Sequence, residues 1–441
     1  MRHETFYIET YGCQMNEHDS EKMAALLRRE GLVPVPSAEK ADVVLINTCS
    51  IRAKAEHKLY SALGKLKPLK AKNPRMVTIA AGCVAQQEKG NLLKRVQHLD
   101  AVLGTHCISR LPAIIEKVRE ERQRIDATEL VGDVESLHMP APCAGPSPVW
   151  SYVTVMQGCS NFCSYCVVPY TRGREQSRPM GEIVNEVKEL LAKGIKEVTL
   201  LGQNVNAYGN DLGNGSSFVE LLEKLDNLTG LARVRFTTSH PRDFSQALAR
   251  AMAGLKSVCE HIHLPLQSGS DRVLKGMRRG YTTSQYLETI VSLREAVPSV
   301  AVTADIIVGF PGESDEDFEQ TFSALKEIRF DQIFSFKYSP RPGTAACDLP
   351  NQVPESVKAD RLDRVHDLQD SITEEYHRAM EGCTEEVLIE GIRESSWQPF
   401  GRTRTNKIVN LEPNSLIQVG DLTWVRISAG LKHSLLGRAI P

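Results

Sequence analysis

Short apolar runs alternating with charged, helix-patterned stretches fill most of this chain, and that alternation leaves few folds open. In the first part, strand-like runs stand at residues 6–11, 43–47, 76–81 and 101–103. A helix is expected after Asn16, a good N-cap, ending at Gly31, and another over residues 51–66. Strand and helix in repetition imply a parallel α/β sheet, because parallel strands are joined by right-handed helical crossovers. The run His138-Met139-Pro140-Ala141-Pro142-Cys143-Ala144-Gly145-Pro146-Ser147-Pro148 then breaks the pattern, since so much proline supports no regular element. Beyond it the alternation resumes, with strand-like runs at residues 152–156, 197–201, 234–238, 261–264, 302–308 and 333–338. Six such βα units close into an open or partial (β/α)6 barrel. From about residue 375 long helical patterns cease. Short alternating runs at 386–389, 416–419 and 422–427, separated by turn residues, predict a small β-barrel. The expected organisation is an N-terminal parallel α/β domain over 1–137, a linker over 138–148, a βα-barrel core over 149–374 and a β-barrel over 375–441. A chain of 441 residues accommodates three domains at about 150 residues each.

Composition narrows the setting. The formal net charge of −2 excludes a uniformly basic, nucleic-acid-coating protein, so any footprint for nucleic acid must be local. No apolar run is long enough to cross a bilayer, and residues 1–12 are polar and strand-like rather than a secretory signal. The expected location is the cytoplasm, away from membranes, where thiols stay reduced. Eleven cysteines, odd in number and clustered, argue for metal ligation over a disulfide framework.

Three of them form Cys159-Ser160-Asn161-Phe162-Cys163-Ser164-Tyr165-Cys166, directly after the first strand of the second region. This C-x3-C-x2-C spacing lets one loop wrap three thiolates around a cluster. A cubane of four irons held by three cysteines keeps one iron open to a chelating ligand. A structural zinc site would want a fourth closed ligand, and no Cys or His stands nearby in C-x2-C register. Three more, Cys13, Cys49 and Cys83, each follow a strand-like run of the first region, spaced by about 35 residues, one βαβ unit. Carboxyl ends of parallel strands share one edge, where ligands bind, so the three converge. One such cysteine alone would be an ordinary core residue; three at matching strand ends indicate a second cluster. Cys107, Cys143, Cys259, Cys347 and Cys383 are expected to pack or sit exposed.

The C-x3-C-x2-C loop after the first barrel strand resembles the radical S-adenosylmethionine superfamily, and the two trios together resemble its methylthiotransferase family. Four segments carry the second resemblance: Thr10-Tyr11-Gly12-Cys13-Gln14-Met15-Asn16, Asn47-Thr48-Cys49-Ser50-Ile51-Arg52, Val167-Val168-Pro169-Tyr170-Thr171-Arg172-Gly173 and Thr237-Thr238-Ser239-His240-Pro241. The likeness spans essentially the whole chain and implies a methylthiotransferase N-terminal domain, a radical core and a C-terminal TRAM barrel. It implies two [4Fe–4S] clusters as cofactors: a cleaving one on Cys159, Cys163 and Cys166, and a sulfur-bearing auxiliary one on Cys13, Cys49 and Cys83. S-adenosylmethionine would chelate the open iron of the first and yield an adenosyl radical. By the same resemblance Gln203 would bond the amino end of S-adenosylmethionine, and Gln267 and Ser268 its ribose or methionine part. Gly309 and Glu313, within Ile307-Val308-Gly309-Phe310-Pro311-Gly312-Glu313, would line its adenine. No catalytic residue beyond the cluster ligands is assigned. Turn chemistry alone also places Gly and Ser at strand ends, and His240 and His263 read as rim histidines.

The implied reaction is methylthiolation of carbon 2 of an isopentenylated adenine next to the anticodon of tRNA, with electrons from a donor such as a flavodoxin or ferredoxin. Two alternatives share the chemistry: a ribosomal-protein aspartate, or threonylcarbamoyl-adenosine in tRNA, as substrate. An alternative of another class is a non-catalytic, metal-stabilised RNA-binding protein. Two basic stretches suit RNA phosphates: Arg52, Lys54, Lys58, Lys65, Lys67, Lys70, Lys72 and Arg75, and the loop Gly401-Arg402-Thr403-Arg404-Thr405-Asn406-Lys407. Phe400 or Trp397 could stack a base or belong to the core. Ala55, Leu59, Ala62 and Leu66 form the apolar stripe of the first basic helix.

Overall fold

The computed structural model describes residues 4–50, 53–139 and 147–440. Ile51, Arg52, Cys143 and most of the proline-rich linker fall outside these residues, as does the side chain of Lys54.

The first sheet is parallel and six-stranded. Its strands are β1 (Thr5–Tyr11), β2 (Val33–Pro34), β3 (Val43–Thr48), β4 (Val77–Ala81), β5 (Ala101–Leu103) and β6 (Ile125–Ala127), in the order β2-β1-β3-β4-β5-β6. The apolar run of β3 is buried along its whole length because helices cover both faces. Val43 and Leu45 pack on one side with Met23, Leu27 and Ile114, while Val44 and Ile46 pack on the other with Leu59, Leu63 and Leu66. Each such fully buried side chain contributes about 2 kcal/mol. The expected stripe Ala55, Leu59, Ala62 and Leu66 is buried, leaving Lys58, Lys65, Lys67, Lys72 and Arg75 exposed.

The first region differs from expectation in several details, beginning with the edge strands β2 and β6, which the sequence reading did not include. Cys13, not Asn16, caps the helix Gln14–Arg29, and Asn16 lies buried inside its first turn. The helix expected over 51–66 is observed as Ala53–Lys72 and runs through Pro68.

The second region places six parallel strands in one arc: β7 (Trp150–Thr154), β10 (Glu197–Leu201), β11 (Arg233–Phe236), β12 (His261–His263), β13 (Ala301–Val308) and β14 (Gln332–Lys337). A short antiparallel pair, β8 (Met156–Gln157) and β9 (Gln176–Ser177), sits beside it. The arc consists of two hydrogen-bonded triples, β7-β10-β11 and β12-β13-β14, which meet at a parallel bridge between Val234 and Val258. A single core, including Val198, Leu200, Val234, Phe236, Leu264 and Ile306, fills the space beneath the helices.

The helix Glu355–Ala379 continues past residue 374 before the third region begins. That region is a closed five-stranded barrel of β15 (Thr384–Arg393), β16 (Gln398–Thr403), β17 (Ile408–Leu411), β18 (Leu422–Gly430) and β19 (Leu435–Ala439), ordered β15-β16-β17-β19-β18. Residues 416–419, expected as a strand, form a turn instead.

The barrel is seated on the amino ends of the core strands. Arg233, fully buried at the start of β11, donates from Nη1 to Arg402 O at 2.7 Å and from Nη2 to Glu386 O at 2.9 Å. Arg235 donates to Arg404 O and Thr403 O at 2.8 and 2.7 Å. In return Arg404 pairs with Glu260 at 2.7 Å, and Lys407 with Asp331 at 2.5 Å. The loop 401–407, expected to meet RNA, is therefore largely committed to holding the barrel, because its cations sit opposite acids of the core. Phe400 packs over Gly391, whereas Trp397 is exposed.

Candidate active site

The carboxyl ends of the two parallel sheets face each other across a cavity of about 340 Å³. Cys13, Cys49, Cys83, Cys159, Cys163 and Cys166 all line it. Among the other described cysteines, Cys107, Cys259, Cys347 and Cys383 are not part of the lining; Cys107 and Cys259 are buried elsewhere, and Cys383 is exposed.

The first trio is assembled by strand register. Thr10 pairs with Asn47, and Asn47 with Ala81, so the residues just beyond these pairs arrive side by side. Glycine makes the convergence possible at two points. A Cβ on Gly12 would stand 2.6 Å from the Cβ of Cys49. Gly82, at φ +89°, would drive a Cβ to 2.2 Å from Asn47 Oδ1. Two buried amides form the floor: Asn16 Nδ2 donates to Asn47 Oδ1 at 3.0 Å, and Asn47 Nδ2 donates to Asn16 O and Ser20 Oγ, both at 2.8 Å. The thiols touch one another. Cys49 is held protonated by hydrogen bonds to Cys13 and Cys83, and those bonds, aided by the Arg172 guanidinium, lower the pKa of both partners.

The second trio sits on the loop after β8. Cys159 N–H donates to Gly173 O at 3.1 Å, and Cys166 N–H to Cys163 O at 3.0 Å. Phe162, between them, adopts φ +48°. Ser164 ties the loop to Gly276 O at 2.8 Å, and Arg279 donates to Cys163 Sγ at 3.4 Å. Burial pushes Cys159 up to about 11 and Cys166 up to about 12, so these thiols need a bound cation to ionise at neutral pH.

Among the other sequence-derived candidates, Gln203 and Gln267 line the cavity. Gln203 Oε1 accepts Gly158 N–H at 2.5 Å and so braces the cysteine loop. Gln267, at φ +72°, is buried with Oε1 unpartnered. Ser268, Gly309 and Glu313 lie outside the lining. Ser268 bonds Thr321 at 3.1 Å, while Glu313 accepts Gly309 N–H at 2.8 Å and Arg361 at 2.6 Å, an internal strut beneath the strand end.

The structure adds residues to which sequence reasoning assigned no role. Thr237, Thr238, Ser239 and His240 line the cavity beyond β11, as do Asp305, Lys337, Arg341 and Arg172. Arg172 and Thr237–His240 fall in segments that carried the family resemblance, whereas Asp305, Lys337 and Arg341 had no such signal. His240 is pushed down to about 2, first by burial and then by Arg279 and Arg242, and stays neutral. Its Nε2, Ser239 Oγ, Gln267 Oε1 and Asn161 Nδ2 are buried without hydrogen-bond partners.

These observations test the fit of the expected cofactors. Two trios of soft sulfur donors, each one short of a full cubane ligand set, suit two [4Fe–4S] clusters. Unpaired polar atoms between them suit the amino-acid and ribose groups of S-adenosylmethionine, which would otherwise leave those atoms at a cost of about 1–3 kcal/mol each. Among the described residues, no three His, Cys, Asp or Glu side chains gather around a point where a single ion would sit.

Known proteins align with this geometry. Residues 153–325 match the Radical SAM superfamily, and residues 5–104 match a family described as Uncharacterized protein family UPF0004. The tRNA-2-methylthio-N(6)-dimethylallyladenosine synthase of Syntrophus aciditrophicus is 48% identical over 98% of this chain and 94% of its own length. That of Thermodesulfovibrio yellowstonii is 48% identical over 100% of both chains, and that of Carboxydothermus hydrogenoformans 46% identical over 99% of both. Among solved structures, the radical S-adenosylmethionine methyltransferase TsrM from Kitasatospora setae aligns at a TM-score of 0.57 with 13% identity, covering 78% of this chain and 75% of that one. At that identity the likeness is one of fold alone.

Proposed function

The chain belongs to the tRNA-2-methylthio-N(6)-dimethylallyladenosine synthase family of radical S-adenosylmethionine enzymes, and on that premise we propose that it methylthiolates carbon 2 of N(6)-dimethylallyladenosine next to the anticodon of tRNA. The observation that carries this reading is the convergence of two cysteine trios on one cavity, in a chain aligned end to end with those synthases. Cys159, Cys163 and Cys166 would hold the cluster that activates S-adenosylmethionine, and Cys13, Cys49 and Cys83 the auxiliary cluster. With these groups bound, the available chemistry is reductive cleavage of S-adenosylmethionine to an adenosyl radical and delivery of sulfur to an unactivated C–H position.

The protein's own residues do the aiming. Gln203 fixes the Gly158 end of the cysteine loop. Arg279 spends its donors on Cys163, Tyr165, Tyr281 and Pro265 O, which locks the second trio against β12. Gln267, Ser239 and Asn161 present unpaired polar atoms for S-adenosylmethionine. Met15, Leu201, Ile307 and Phe336 supply apolar wall to the space between the trios.

The RNA would reach the site along the exposed cations of Ala53–Lys72, where Lys58 stands over the ring of Tyr11, two residues from Cys13. On the barrel, exposed Trp397 and Trp424 offer stacking faces. A flavodoxin or ferredoxin would supply electrons, and the cytoplasm, where tRNA is matured, is the proposed location. No described helix is long and apolar enough to cross a membrane.

Two measurements test the reading. Mass spectrometry of tRNA nucleosides from a deletion strain should show N(6)-dimethylallyladenosine without its methylthio form; unchanged methylthio content refutes the substrate. Replacing Cys13, Cys49 and Cys83 with Ala should abolish methylthiolation while S-adenosylmethionine cleavage persists. Loss of cleavage in a folded variant would overturn the division of roles between the trios.

A further inference from the structure

Each cysteine trio has a buried arginine beside it, but the two arginines differ. Arg279 at the second trio is bonded through Nε, Nη1 and Nη2. Arg172 at the first trio is not. Its Nη2 donates to Asp19 Oδ2 at 2.6 Å in a pair whose side chains are 3% and 6% exposed, so the charge is fixed and dry. Its Nη1 is buried without a partner, and the residue lines the cavity with Cys13, Cys49 and Cys83. The arginine comes from the core region, yet it lies over the N-terminal sheet. His106 Nε2 donates to its carbonyl at 2.9 Å, and Thr105 Oγ1 donates to Thr171 O at 2.5 Å. A buried N–H without a well-formed hydrogen bond costs about 1–3 kcal/mol, and the guanidinium is turned toward the Cys83 thiol, one of the first trio.

We propose that Arg172 is a positioning residue for the auxiliary cluster, its fixed charge and spare Nη1–H acting on the cluster's sulfur and raising its reduction potential above what three thiolates alone would set. Hydrogen bonds to cluster sulfur and nearby positive charge are the protein's means of stabilising a cluster's more negative, reduced state. Asp19 holds the guanidinium in place and keeps Nη2 occupied, so Nη1 is the donor directed at the cluster.

This inference rests on the reading of Cys13, Cys49 and Cys83 as cluster ligands, and the experiment separates the two. The full-length chain carrying Cys159→Ala, Cys163→Ala and Cys166→Ala is reconstituted with iron and sulfide, and its remaining cluster is titrated by electron paramagnetic resonance. A four-iron cluster should load; if none does, the ligand assignment fails and the inference with it. In that background Arg172→Gln should shift the midpoint potential to more negative values, and Arg172→Lys should restore most of the shift. A fully loaded Arg172→Gln protein that titrates at the parent potential overturns the role of Arg172 and leaves the ligand assignment standing. Loss of iron from Arg172→Gln with retention in Arg172→Lys shows the same dependence on charge and supports the inference. Loss from both overturns it, because packing then accounts for the residue.

Discussion

At the scale of single residues, the site depends on atoms that are missing as much as on those present. Gly82 turns the chain at a φ that side chains rarely adopt, and any Cβ there would meet Asn47 Oδ1 and Thr48 O. Gly82→Ala should cost about 3 kcal/mol from strain and overpacking. The expected outcome is a lower thermal midpoint, with iron lost from the first trio before the second, measured by metal analysis of the purified protein. Retention of both clusters at the parent stability would contradict the packing described around Asn47. The cysteines themselves were legible in the sequence because strand ends and short spacing are local signals. Arg172 was not, since nothing near residue 172 announces that it will lie against residues 13 and 83. Ser268, Gly309 and Glu313 were assigned by resemblance alone; they make hydrogen bonds within the fold, Ser268 to Thr321 and Glu313 to Gly309 N–H, and stand outside the cavity lining.

At the scale of elements, the strand–helix alternation located every strand of the core arc to within a few residues, although β11 and β12 carry Arg and His and β14 is largely exposed. The small barrel was harder to read. β16 contains Pro399, Gly401 and Arg402, and one face of each barrel strand meets either water or the core's ion pairs, so alternation is weak. The residues of the 401–407 loop announced charge but not its destination. Their partners, Glu260 and Asp331, lie far away in sequence. Arg233 is the buried centre of that junction, bonded to Arg402 O and Glu386 and 3.8 Å from Glu197. Arg233→Met should leave Glu386 without its cation and the Arg402 and Glu386 carbonyls without their donor, while Glu197 keeps Arg235, and weaken the seating by about 3 kcal/mol. Limited proteolysis would report it as faster cleavage in the 380–383 connection, releasing an intact barrel fragment. A cleavage rate equal to that of the parent would show that the junction is held by other contacts.

At the scale of the whole molecule, a net charge of −2 conceals an uneven surface. Lys58, Lys65, Lys67 and Lys72 project from one helix beside the first trio, whereas the barrel's basic loop is neutralised by the core. If the helix is the electrostatic track for tRNA, Lys65→Glu, Lys67→Glu and Lys72→Glu together should weaken tRNA binding by about ten-fold or more at low salt. The deficit should shrink as salt rises, because fewer counterions are released by the variant. Filter binding across a salt series measures both effects, and an unchanged salt slope would move the RNA track to another face.

The seam at Thr171 and Arg172 sets a mechanical condition on this enzyme. Main-chain carbonyls of one half are clasped by Thr105 and His106 of the other, with the dry Asp19 pair alongside. The two jaws therefore cannot gape like a hinge at this point without exposing a buried charge. A bulky nucleotide would have to enter the chamber away from that clasp, with the jaws still shut.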